Sequence, residues 1–223
     1  MSTSRVKICG LTTARDRDSA IAAGADALGF ISQVSVDTPR EITATETRDL
    51  IAGVPPFVTS VLVTMPESVE KVVTLQETAG ADAIQIHGTL SPDQLETLSN
   101  GLDIPVIVAI DVTESNVGGY AEVADAVLVD STTEEGGGGT GRTHDWERTR
   151  EIKETLSVPL VLAGGLTPEN VRQAIETVEP FAVDTASGVE REGGRKDTQA
   201  VHDFVETAQQ GSTTASSQQG RTV

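Results

Sequence analysis

Ala23-Gly24-Ala25-Asp26-Ala27 recurs almost unchanged as Ala79-Gly80-Ala81-Asp82-Ala83, and a weaker copy, Val123-Ala124-Asp125-Ala126, stands further along. Each copy reads as a helix end turning into an apolar run, with glycine supplying the turn in the first two. Outward from these copies, strand-like runs occupy residues 5–9, 26–31, 57–63, 82–86, 105–110, 125–130, 159–163 and 181–184. The copies open the second, fourth and sixth runs. The third, fifth and seventh open instead on proline, at Pro55-Pro56, Pro105 and Pro159, a residue tolerated at the start of a strand but not inside one. Helical patterns separate the runs. Their start signals are Thr12 before Ala14-Arg15-Asp16, Thr64-Met65-Pro66-Glu67, Ser91-Pro92-Asp93 and Thr167-Pro168-Glu169, in the last three of which proline follows a capping residue near the first helical position. Strands alternating with helices define an α/β architecture with parallel strands. Two alternating kinds of strand start imply a repeating two-strand, two-helix unit, and hence a single (β/α)8 barrel, the TIM barrel, over residues 1–208. The tail from Gln209 to Val223 is Ser, Thr, Gln and Gly with almost nothing apolar, and is expected to be disordered.

Composition narrows the function. The chain has 34 acidic and 16 basic residues, a formal net charge of -18. Its lysines are Lys7, Lys71, Lys153 and Lys196. Such a surface repels nucleic acid and anionic membranes as partners. No apolar run approaches the length of a membrane span and no secretory signal is visible, so a soluble, cytoplasmic protein is expected. The single cysteine, Cys9, excludes an internal disulfide and any multi-cysteine metal site.

In a β/α barrel the chemistry lies at the C-terminal ends of the strands, where this chain places Cys9, Ser32, Thr64, Gln85 with His87, Asp111, Asp130, Gly164-Gly165 and Asp184. Period-two geometry puts Lys7 and Cys9 on one face of the first strand and Val6 and Ile8 on the other. Lys7 in an apolar strand calls for a carboxylate inside the barrel or a ligand. As a cation beside a thiol, it would favour the thiolate and make Cys9 a usable base, against the plainer reading of a small buried hydrophobe. Gly164-Gly165 and Ser187-Gly188 follow the seventh and eighth strands, the usual phosphate site of this fold, although a glycine pair alone can be only a tight turn. Asp130 ends the sixth run; taken alone it reads as a turn cap, and Cys9 at the mouth of the same barrel shifts the reading toward an acid. Gly136-Gly137-Gly138-Gly139-Thr140-Gly141-Arg142-Thr143 has phosphate-loop spacing except that arginine replaces lysine. Glu134 and Glu135 beside it oppose nucleotide phosphates, which favours a glycine-rich lid over the barrel mouth. His87, His144 and His202 are scattered, and no triad is visible.

The stretches Val6-Lys7-Ile8-Cys9-Gly10-Leu11-Thr12, Ile84-Gln85-Ile86-His87-Gly88, Leu128-Val129-Asp130-Ser131, Leu162 to Val171, and Ser187-Gly188-Val189-Glu190 through Lys196-Asp197 together resemble phosphoribosylanthranilate isomerase, from about residue 5 to 208. The resemblance implies an Amadori rearrangement of N-(5'-phosphoribosyl)anthranilate to 1-(2-carboxyphenylamino)-1-deoxyribulose 5-phosphate in tryptophan biosynthesis, without cofactor or metal. By the match, Asp130 is the general acid and Cys9 the general base. Arg40 holds the anthranilate carboxylate, although Thr38-Pro39-Arg40 stands where the family has Ser-x-Arg. Lys7, Gln85 and Asp184 fall at positions near the substrate. The resemblance implies a small phosphorylated substrate as the partner, and a monomer or homodimer. A histidine-pathway barrel isomerase would carry aspartate where Cys9 stands, and a barrel that merely binds phosphate would need neither Cys9 nor Asp130.

Self-repulsion at this net charge is tolerable where salt screens it, the Debye length falling to about 3 Å near 1 M. We therefore expect the thermal midpoint to climb as salt is raised from low values. Melting across a salt series checks this, and a midpoint highest at low salt contradicts it.

Overall fold

The computed structural model describes residues 4–88, 90–130 and 145–210. Eight parallel strands, β1 (Arg5–Ile8), β2 (Ala27–Ile31), β3 (Thr59–Thr64), β4 (Ala83–His87), β5 (Val106–Asp111), β6 (Ala126–Asp130), β7 (Leu160–Leu162) and β8 (Ala182–Thr185), form a barrel closed by the pairing of β8 with β1. The intervening helices are α1 (Ala14–Ala23), α2 (Ala44–Ile51), α3 (Val69–Ala79), α4 (Pro92–Gly101), α5 (Val117–Ala121), α6 (Trp146–Thr155) and α7 (Val171–Val178), with α8 (Thr198–Gln210) last. Each expected strand is present, shifted by at most two residues at its start. Between β8 and α8 the chain adds a 3-10 turn, Ser187–Val189, and a short antiparallel hairpin, β9 (Glu190–Glu192) and β10 (Arg195–Lys196), which the apolar pattern does not announce.

Two apolar layers follow from strand alternation. Val6, Ile8, Leu28, Phe30, Leu62, Ile84 and Ile86 point outward and pack under the helices in the main core. The opposite residues fill the barrel's interior: Val61, Val63 and Ala83 near Cys9, and Ala109, Leu128, Val161, Ala163 and Ala182 on the other side. These interior residues are mostly small, and Lys7, Gln85 and Asp184 share the interior with them as buried polar groups.

The repeated motif has one structural job in all three copies. Asp26 donates its backbone N–H to the Val6 carbonyl (2.9 Å), and its carboxylate accepts from the Val6 N–H (2.8 Å). Asp82 does the same to Ser60 (3.1 and 2.9 Å), and Asp125 to Val106 (2.9 and 2.8 Å). Each aspartate thus satisfies a backbone donor in the first two residues of the neighbouring odd strand. In the fourth unit Phe181 makes only the backbone bond, to Leu160 at 2.9 Å.

Helix starts are less regular than the proline signals suggest. Ser91 caps α4 with a reciprocal capping box through Gln94 and Pro92 in the first turn, as expected. Thr13, rather than Thr12, caps α1. Helix α3 begins after Ser68, whose hydroxyl accepts from the Lys71 N–H, two residues beyond Pro66, and α7 begins after Asn170 rather than at Pro168. In the last case the Asn170 side chain bridges the turn instead, accepting from the Thr167 N–H (2.8 Å) and donating to the Gly165 carbonyl (2.9 Å). Helix α8 runs to Gln210, two residues into the stretch expected to be disordered, and Gln209 donates to the Gly24 carbonyl at 3.2 Å. The rest of the expected tail and the glycine-rich segment 134–143 lie outside the described residues. Among the described residues no helix is long and apolar enough to cross a membrane.

The aspartate bonds lie at the end of the barrel opposite Cys9. Asp82→Ala should therefore cost about 1–2 kcal/mol of stability, by stranding the donors of Ser60, while leaving kcat/KM unchanged. Urea unfolding alongside an activity assay checks both halves.

Candidate active site

Lys7 projects into the barrel and donates to the Asp184 carboxylate at 3.0 Å, the two being paired across the β1–β8 seam in the ladder itself. Both side chains are buried. Burial alone would pull the Lys7 ammonium toward the neutral form; the facing carboxylate of Asp184, with a smaller contribution from Cys9, reverses this and drives its pKa above the ordinary lysine range. Lys7 is therefore a fixed positive charge.

Cys9, one pleat beyond Lys7, is 5% exposed. Gly29 on the neighbouring strand makes room for it, since a Cβ there would stand 2.6 Å from the sulfur. Lys7 favours the Cys9 thiolate, as expected, but burial is the larger effect. Burial pushes the thiol pKa up, and the attraction of Lys7 and, more weakly, Lys196 only partly offsets it, with Asp184 adding to the upward push. The resting group is a neutral thiol. His87, at the end of β4, is likewise held neutral by burial and by Lys7. Gln85 is buried on the same β4 face, and its side-chain carbonyl oxygen has no hydrogen-bond partner among the described residues. A buried acceptor left open in this way is uncommon in folded proteins and fits a site that receives a donor from a ligand.

Asp130 ends β6 half-buried, in register with Asp111 of β5. Asp111 is turned to its own loop, accepting from the Thr113 N–H (2.7 Å) and hydroxyl (2.5 Å), which gives it a turn-forming role.

The loops after β7 and β8 pack on each other. Gly164 and Gly165 have φ of 86° and 65°, so the turn by itself requires glycine at both positions. The Thr185 hydroxyl donates to the Leu166 carbonyl at 2.7 Å, and a Cβ on Gly188 would fall 1.9 Å from that same oxygen. Ser187 beside it is exposed at the barrel mouth. The strand-seven glycines thus do not open directly into a helix: a five-residue turn, 166–170, intervenes before α7.

Arg40 lies in the loop after β2. Its Nε and Nη2 donate to the two oxygens of Glu190 at 2.9 and 2.7 Å. The Thr38 hydroxyl accepts from the Arg40 N–H at 3.3 Å. Lys196 donates to Glu190 at 2.9 Å and to the Ala186 carbonyl at 2.9 Å. Glu190 is held below the usual carboxylate range: burial opposes the charge, but Arg40 and Lys196 together outweigh it. Burial lowers the Lys196 pKa despite Glu190. Neither Glu190 nor Lys196 is singled out by apolar pattern or strand position; the available signal was two of the motif's own charged residues, one at each end of a glycine turn.

A parallel eight-stranded barrel whose open end gathers a thiol, carboxylates, buried ammonium groups and glycine loops defines a barrel enzyme acting on a small anionic substrate. The comparisons sharpen this. A model of the N-(5'-phosphoribosyl)anthranilate (PRA) isomerase family matches residues 6–207. The N-(5'-phosphoribosyl)anthranilate isomerase of Haloarcula marismortui is 54% identical over 206 residues, 92% of this chain and 96% of that protein. Among solved structures, phosphoribosyl anthranilate isomerase from Thermotoga maritima superposes with a TM-score of 0.82 at 36% identity, covering 92% of this chain and 98% of the other. A phosphoribosyl anthranilate isomerase in complex with reduced 1-(o-carboxyphenylamino)-1-deoxyribulose 5-phosphate does so at 0.79 and 33%, with the same coverage. The chain belongs to the N-(5'-phosphoribosyl)anthranilate isomerase family, enzymes of tryptophan biosynthesis that interconvert an aldose and a ketose.

Removing one partner of the buried pair exposes its worth. Asp184→Asn should destabilise the fold by about 3–5 kcal/mol, because it leaves Lys7 uncompensated, while Lys7→Met/Asp184→Leu should recover most of that loss. Chemical denaturation of the variants checks this, and a neutral Asp184→Asn contradicts it.

Proposed function

We propose that residues 1–208 form one catalytic domain in which Asp130 is the general acid and Cys9 the general base of phosphoribosylanthranilate isomerisation, working in the cytoplasm without cofactor or metal. Asp130 gives a proton to the ribose ring oxygen as the C1'–O bond breaks and the nitrogen lone pair forms the Schiff base. Cys9 then takes the C2' proton, and the electrons of that bond flow to the iminium nitrogen. The resulting enol relaxes to the 2'-ketone. One group must begin protonated and the other must accept a proton, and each contributes about 10²–10⁴ in rate.

The observation that carries this reading is the inward face of β1, which sets Cys9 beside the Lys7–Asp184 pair at the barrel mouth. The neutral resting thiol means that the working form is a minority thiolate, which Lys7 and Lys196 both favour. Arg40 meets the anthranilate carboxylate. Gly164, Gly165, Ser187 and Gly188 meet the phosphate through backbone N–H groups and the Ser187 hydroxyl, and Lys7, Gln85 and Asp184 line the path of the sugar. In a protein of net charge -18 these cations give the anionic substrate a locally positive mouth.

The purified protein should quench the fluorescence of N-(5'-phosphoribosyl)anthranilate as it converts it. Cys9→Ala and Asp130→Asn should each lose about 10²–10⁴ in kcat. Because burial raises the thiol pKa, kcat/KM should still be rising with pH at about 8.5, where an ordinary thiol is half ionised. Full activity in either variant, or a basic limb complete below neutrality, contradicts the assignment.

A further inference from the structure

Of the chain's lysines, Lys71 and Lys153 lie on helices at the protein surface, while Lys7 and Lys196 are buried at the barrel mouth. A lysine-poor, acidic protein has thus placed two of its ammonium groups where they cost most to desolvate. Lys7 is answered by Asp184. Lys196 is answered by Glu190, a residue that the proposed reaction does not use.

Glu190 is itself an unusual neighbour for an arginine that has to receive an anion. Its side chain is 5% exposed and that of Lys196 is 1% exposed, so neither charge is met by water. The carboxylate spans the Nε and Nη2 side of the Arg40 guanidinium with both oxygens, and among the described residues Nη1 has only a long contact of 3.5 Å to the Thr38 hydroxyl. A guanidinium carries five N–H groups in a fixed plane. With one edge taken by Glu190, the Nη1/Nη2 edge still offers the parallel pair of donors that fits a second carboxylate. Lys196 neutralises Glu190, so the trio keeps one net positive charge. The hairpin carrying Glu190 and Lys196 is fastened to the loop after β1, where the Thr12 hydroxyl donates to the Gly194 carbonyl at 2.7 Å.

We infer that Glu190 is a positioning residue for substrate recognition: braced by Lys196 on the β9–β10 hairpin, it locks the Arg40 guanidinium so that its free edge receives the carboxylate of the aromatic ring. This rests on the reading that Arg40 meets that carboxylate. Because the clamp orients a binding group remote from the reacting carbons, its loss appears in KM and leaves the chemical step alone. Its effect on KM passes through Arg40, whereas a merely structural role would not depend on what stands at position 40.

The test is a double-mutant cycle of steady-state constants on the full chain with Glu190→Gln, Arg40→Met and the two combined, each checked for an intact melting transition. Arg40→Met should raise KM by about 100-fold, Glu190→Gln by about tenfold with kcat within about twofold, and adding Glu190→Gln to Arg40→Met should change KM no further. Should Glu190→Gln fail to fold, Glu190→Asp keeps the charge opposite Lys196 but cannot span both arms of Arg40, and should raise KM in the same selective way. If Arg40→Met leaves KM unchanged, the reading of Arg40 falls and the inference with it. If Arg40→Met raises KM but the Glu190 variants do not, or raise it equally in the Arg40→Met background, the positioning role alone is overturned.

Discussion

The buried pair of Lys7 and Asp184 is the constraint on which the rest of the site depends. These residues face each other in the ladder where the last strand meets the first, so the ion pair sits at the closure of the barrel. Neither charge could stay buried alone, and each justifies the other only while the seam is shut. Closure therefore fixes an ammonium group at full charge inside a low-dielectric wall. That charge then acts on its neighbours, drawing Cys9 toward the thiolate against the opposing effect of burial and keeping His87 neutral.

The two ends of the barrel divide their work along the same strands. At one end Asp26, Asp82 and Asp125 satisfy the Val6, Ser60 and Val106 donors near the starts of β1, β3 and β5 with the same pair of bonds each time. At the other end no such repetition holds: Cys9, Asp111, Asp130 and Asp184 occupy comparable strand ends and do different things. Repetition marks the end built for stability, and its loss marks the end to which the proposed chemistry is assigned. The fourth unit departs even at the stable end, with Phe181 in place of aspartate, and there the Phe181 ring lies 4.4 Å under the Arg5 guanidinium instead.

The strands and the barrel were legible because burial writes them as apolar runs and because the aspartate motif marks the second, fourth and sixth of them. The need of Lys7 for a carboxylate was legible too, since a strand lysine facing an apolar interior has few other solutions. Which carboxylate it would find was not, because Lys7 and Asp184 lie at opposite ends of the chain. The starts of α3 and α7 were misplaced because proline is tolerated in the turn before a cap as well as in the first helical turn, and only the hydrogen bonds of Ser68 and Asn170 distinguish the two. The pull of Lys7 on Cys9 was legible, but the size of the effect opposing it was not. Period two reveals the neighbouring cation but not the depth of burial, and burial is the larger effect. Glu190 and Lys196 escaped notice because their role arises from a hairpin folding back on a distant loop, which no local pattern encodes.

Cys9 is the chain's one cysteine, so a thiol reagent reads that residue alone. The most direct measurement is the time course of alkylation by iodoacetamide at alkaline pH, followed together by intact mass and by isomerase activity, with and without reduced 1-(o-carboxyphenylamino)-1-deoxyribulose 5-phosphate. The account predicts that activity falls in step with addition of a single label and that the phosphate-bearing analogue slows both. Fully labelled protein that still isomerises its substrate would contradict it.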